Sequence, residues 1–66
     1  MVQKDDSEIS TCFAKLTMAL ENAAGVASEG QQNGLEHELL KELIEELDEA
    51  LARAKAHLEW LRRHFA

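Results

Sequence analysis

Few side chains in this sequence could do chemistry. Cys12 is the one thiol, the histidines are His37, His57 and His64, and thirteen carboxylates outnumber seven Lys and Arg. A reactive thiolate needs a neighbouring base or a helix N-terminus that lowers its pKa. Cys12 falls about two turns into an expected helix, beside its apolar stripe, so it reads as a small buried hydrophobe. A single cysteine also excludes an intrachain disulfide. His57 and His64 are roughly 10.5 Å apart along a helix axis, too far to share one metal ion without another ligand between them. Neither has a Glu three positions before it, so the Glu-x-x-His pair of di-iron bundles is missing. No metal, no cofactor and no nucleophile–base pair is expected, and the chain does not read as an enzyme.

The charges are arranged rather than scattered. Residues 35–49 hold seven acids and one Lys, a balance of −6, and residues 50–66 hold four bases and one acid, a balance of +3. Acid first and base last complements the dipole of a helix running through both stretches. His64, with Arg62 and Arg63, falls where a helix C-terminus favours positive charge. Pairs such as Glu45 and Glu49 need no role beyond a solvated face. A net charge of −6 argues against nucleic acid and anionic membrane as main partners.

The elements that carry these residues are helices. The chain has 66 residues, no Pro and no Tyr, and ten each of Ala, Leu and Glu, a composition of long helices and coiled coils. No stretch is apolar and long enough to span a membrane, the first residues lack the apolar core of a signal peptide, and a cytoplasmic location is expected. One connection is visible, Glu29-Gly30-Gln31-Gln32-Asn33-Gly34, with Gly suited to the left-handed residue after a helix and Asn33 to the cap before the next. Asp5 with Glu8, and Asn33 with Glu36, have capping-box spacing. One all-α unit is expected over 1–66: a helix over about 6–28, a loop over 29–33 and a helix over about 34–65. A loop this short folds the helices into an antiparallel, coiled-coil-like hairpin.

Heptad spacing predicts the seam. Ile9, Phe13, Leu16, Leu20, Ala23 and Ala27 alternate steps of four and three, widened on one side by Cys12, Ala19 and Val26. Leu40, Ile44, Leu47, Leu51, Ala54, Leu58, Leu61 and Phe65 do the same in the second helix, flanked by Leu43 and Ala50. Folding about the loop then places Phe13 opposite Ala50 and Ala54. Gly25 inside the first helix marks either a close backbone approach or early fraying.

The second helix is expected to outrun the first, leaving Leu58, Leu61 and Phe65 in an overhang that Val2 covers only if the first residues continue the helix. On its other face Ala52, Ala56 and Trp60 form a narrow strip between Arg53 and Arg63, with Trp60 a candidate interface anchor. Two helices leave their apolar stripes partly uncovered, so a partner is expected. It is either a second copy, completing a four-helix bundle, or a different protein.

A first helix containing Leu16-Thr17-Met18-Ala19-Leu20, a Gly-containing loop and a longer second helix with Leu47-Asp48-Glu49-Ala50-Leu51 resembles the small YscE-type proteins of bacterial type III secretion systems, over roughly residues 9 to 65. The chain departs from that family's pattern by lacking Tyr and by an unusually acidic second helix. The resemblance implies a cytoplasmic co-chaperone that binds a tetratricopeptide-like chaperone and, through it, keeps the needle subunit soluble. It implies docking by Trp60, Leu58, Leu61 and Phe65, with Ala52 and Ala56 allowing close approach and Arg53 and Arg63 on the rim. The alternatives are a structural homodimeric four-helix bundle and a Rop-like RNA-binding dimer; the latter needs a concentrated basic face, whereas acids dominate the first half of the second helix.

Overall fold

The computed structural model describes residues 4–66, with side chains from Asp6 onward; the expectation for Val2 lies outside the described residues. Helix α1 spans Lys4–Glu29 and α2 spans His37–Phe65, and the two pack against each other as a hairpin. No strand occurs among the described residues. The molecule is a plank of 53 × 21 × 12 Å, two helices wide and one thick.

The connection, residues 30–36, is longer than its composition suggests. The N–H of Gly30 donates to the Val26 carbonyl at 3.2 Å, and those of Gln31 and Gln32 donate to Ser28 and Glu29 at 3.1 and 3.2 Å, so the chain leaves α1 in tight turns. The left-handed residue is Gly34, with φ +80°, rather than Gly30. Helix α2 therefore starts three residues later than expected. Its cap is Glu36, not Asn33, and the Glu36 side chain makes no capping bond. Only its backbone serves: the Glu36 carbonyl accepts from the Leu40 N–H at 3.0 Å. At the other end α1 begins at Lys4, so Asp5 lies inside the helix.

These two changes move the register. The Cys12 thiol donates to the backbone carbonyl of His57 at 3.4 Å, which puts Phe13 near the level of Ala56 instead of Ala50. The slide is about six residues, or roughly 9 Å at 1.5 Å per residue. Helices of 26 and 29 residues then match closely in length, and the expected overhang disappears. Leu61 is only 5% exposed, and Ser7 and Glu8 line one groove together with Trp60 and Arg63.

Helix rotation differs from expectation by one heptad position. The buried residues of α1 are Cys12, Ala19, Ala23 and Val26, with Ile9 and Leu16 half-buried. Those of α2 are Leu43, Ala50, Ala54 and Leu61, with Leu40, Leu47 and His57 half-buried. Cys12, Ala19, Val26, Leu43 and Ala50, expected to flank the seam, occupy it beside Ala23, Ala54 and Leu61, which were expected there, while Phe13, Leu20, Ile44, Leu51, Leu58 and Phe65 are exposed. Small side chains explain the choice, because Ala and Cys at the crossing let the helix axes approach closely. Gly25 has no part in this: a Cβ there would meet nothing within 4 Å, and α1 continues to Glu29 without fraying.

Candidate protein-docking face

A seam built mainly from small residues, with Val26, Leu43 and Leu61 its larger members, leaves many large apolar residues outside. Phe13 is 52% exposed and Leu20 49%; Ile44, Leu51, Leu58 and Phe65 are exposed too, at 66, 48, 40 and 68%. Within each helix these residues recur every seven positions, and Phe13, Leu20, Ile44 and Leu51 directly follow the buried Cys12, Ala19, Leu43 and Ala50. In an antiparallel pair, the positions one step past the seam on the two helices lie on the same side of the hairpin. Phe13 and Leu20 thus join Ile44, Leu51, Leu58 and Phe65 in one apolar face along most of the plank. Half-buried Ile9, Leu16, Leu40 and Leu47 floor it.

The rims of this face differ. Along α2 the next positions outward are Lys41, Asp48, Lys55 and Arg62, and along α1 they are Ser10, Thr17 and Ala24, small and uncharged. The Thr17 hydroxyl is turned back onto its own helix, donating to the Phe13 carbonyl at 2.9 Å. Between Ile9 and Ser28 the only charged residues are Lys15 and Glu21. A helix so little charged around its circumference is suited to contact on more than one side, yet α2 covers only one.

The opposite side of the hairpin is mixed, with Met18, Ala56 and Trp60 among charged and polar residues. One open groove of about 520 Å³ is lined by Ser7, Glu8, Thr11, Lys15, His57, Trp60 and Arg63 among others. A second, of about 630 Å³, runs from Lys15 and Met18 to Arg53. Neither has a buried polar side chain to orient a ligand, and the described side chains leave no buried N or O unpaired. The paired charges, Lys41–Glu38 at 3.5 Å and Arg62–Glu59 at 3.8 Å, are exposed neighbours within α2 and add little stability. No group of three or more His, Cys, Asp or Glu among the described residues is placed to hold a metal ion. No described helix is long and apolar enough to cross a membrane.

The residues expected to dock a partner are divided by the structure. Leu58 and Phe65 lie on the apolar face. Leu61 is seam core instead, because the register brings the first turns of α1 beside it. Trp60, expected to stand exposed, is half-buried and stacks on His64 with centroids 5.2 Å apart and planes 13° apart; His64 meets Phe65 edge-on at 5.1 Å. Ala56 and Arg63 line the Trp60 groove, Arg53 lines the second groove, and Ala52 is exposed on the outer surface of α2. Reading the sequence for one seam passed over Phe13, Leu20, Ile44 and Leu51 as surface residues. Their signal was present, since three apolar positions per heptad make a stripe wider than a two-helix contact consumes.

By fold the protein is an all-α helical hairpin with one side richer in exposed large apolar residues than the other. Compared with protein-family models, with curated proteins and with solved structures, the chain matches none.

Proposed function

We propose that this chain is a non-catalytic adaptor whose work is to present the Phe13, Leu20, Ile44, Leu51, Leu58 and Phe65 face to another protein surface. The supporting observation is that five of the eight buried residues described are Ala or Cys, while Phe13, Leu20, Ile44, Leu51, Leu58 and Phe65 stand exposed at heptad spacing. Covering each of those half-exposed side chains is worth on the order of 1 kcal/mol, and the small rim of Ser10, Thr17 and Ala24 lets a partner helix approach. In the narrower form suggested by the YscE-type resemblance, the surface met is a tetratricopeptide-like chaperone, and the pair keeps a needle subunit soluble. Helical repeats offer a groove of matching kind.

The test is co-purification of the chain with such a chaperone, followed by calorimetric titration. The wild-type chain is expected to bind, and Leu51→Glu to abolish binding while remaining helical by circular dichroism. No binding by the wild type removes the chaperone as partner; wild-type binding that Leu51→Glu leaves unchanged removes the apolar face as the docking surface.

A further inference from the structure

We infer that the apolar face is occupied, until a partner displaces it, by a second copy of the chain. The copies are related by a two-fold axis perpendicular to the long axis of the hairpin, with their loops at opposite ends. The inference rests on the adaptor reading of that face and goes further by naming its resting occupant and orientation.

The first support is the placement of the apolar residues along the plank. On α1 the midpoint of Phe13 and Leu20 falls beside Leu16 and Thr17. On α2 the midpoint of Ile44, Leu51, Leu58 and Phe65 falls between Ala54 and Lys55. Cys12 lies level with His57, so the two midpoints fall within about 3 Å of each other along the hairpin at 1.5 Å per residue. A pattern centred on one level in both helices is what this two-fold requires. It seats Phe13 over Leu20 of the second copy, Leu51 over its Leu58, and Ile44 over its Phe65. Each helix then lies on its own counterpart, with Ser10 opposite Ala24 and Thr17 near its own copy.

Charge contributes one complementary pair on the rim: with α2 on α2 and loops apart, Asp48 comes level with Arg62 of the second copy, and by symmetry Arg62 with its Asp48. Lys55 falls near the axis, where its flexible stem lets the charge swing outward into water. The other two-fold, along the hairpin with loops together, would lay α2 on α1. It would set Phe65 opposite Asp6 and leave the α2 rim charges facing Ser10, Thr17 and Ala24.

The experiment is sedimentation equilibrium of the full chain at micromolar to millimolar concentration, with cysteine cross-linking of Cys12→Ala variants by a short thiol reagent. Expected are a mass of about twice 7.4 kDa, cross-linking through Thr17→Cys, and none through Gln31→Cys. Leu51→Glu is expected to return the mass to that of one chain. A wild-type monomer throughout the range overturns the inference and leaves the adaptor reading intact. A dimer that cross-links through Gln31→Cys and not Thr17→Cys overturns the orientation. A dimer undisturbed by Leu51→Glu overturns both the inference and the face. The cross-links decide the question independently should Leu51→Glu unfold.

Discussion

At the scale of the residue, several small side chains are buried where larger apolar neighbours are not. Ala50 is wholly inaccessible while Ile44, six positions earlier on the same helix, is 66% exposed. The same contrast separates two candidates for a partner anchor. Trp60 is the largest side chain in the sequence and the natural first choice, since Trp dominates interface hot spots. It nevertheless sits on the groove side, stacked on His64 and flanked by Arg63 and Lys15, whereas Leu51 stands in the middle of the apolar face. Paired alanine substitutions, each assayed by affinity for whichever surface covers the face, separate the two. Leu51→Ala should weaken association by about 1–2 kcal/mol, and Trp60→Ala by less than about 0.5 kcal/mol. The reverse order would return the docking site to the Trp60 groove. Cys12 belongs to the seam, where its thiol meets the His57 carbonyl, and its packing accounts for its presence.

At the scale of the element, each helix carries local choices that cost stability without an evident structural return. Gly25 is helical, exposed and has open space where a Cβ would stand. Gly25→Ala should therefore raise the stability of the hairpin by about 0.5–1 kcal/mol, measured by urea unfolding followed at 222 nm. Gly34 has equal space but a φ of +80°. Gly34→Ala should lower stability by roughly 1–2 kcal/mol, the penalty of left-handed backbone for a residue with a Cβ. If the two substitutions act alike, space rather than backbone conformation governs these sites, and the account given for the loop is wrong. The beginning of α2 is served by the Glu36 backbone alone, so its first turn holds less tightly than a Ser or Asp cap would make it.

At the scale of the whole molecule, the seam is too thin to stabilise two helices strongly. Eight residues are buried among those described, five of them Ala or Cys, and chains below about 70–80 residues rarely draw more than a few kcal/mol from such a core. The association proposed for the apolar face adds what the seam lacks. Stability should then depend on protein concentration by mass action. The thermal midpoint, followed by circular dichroism, should climb by several degrees for each tenfold increase in concentration, and Leu51→Glu should remove that dependence. A midpoint constant across a hundredfold range would show that the hairpin stands alone.

Much of this architecture follows from the amino-acid order by itself. The heptad spacing, the high Ala, Leu and Glu content and the Gly-rich break determine two helices and an antiparallel hairpin, because helix propensity and periodicity are local properties. The same spacing could not choose the seam. Ile9, Phe13, Leu16 and Leu20 form one stripe and Ile9, Cys12, Leu16 and Ala19 another, turned only slightly about the same axis, and hydropathy alone favours the larger residues. Only the second helix decides, since buried Ala50 and Ala54 on α2 and Cys12, Ala19 and Ala23 on α1 allow a close approach that Phe13 and Leu20 would prevent. Loop length was likewise beyond local reasoning, because three more residues without helix moved the register and converted Leu61 from an expected partner contact into core. Periodicity supplied two apolar faces; the packing of one helix on the other determined which became the interior and which stayed on the surface.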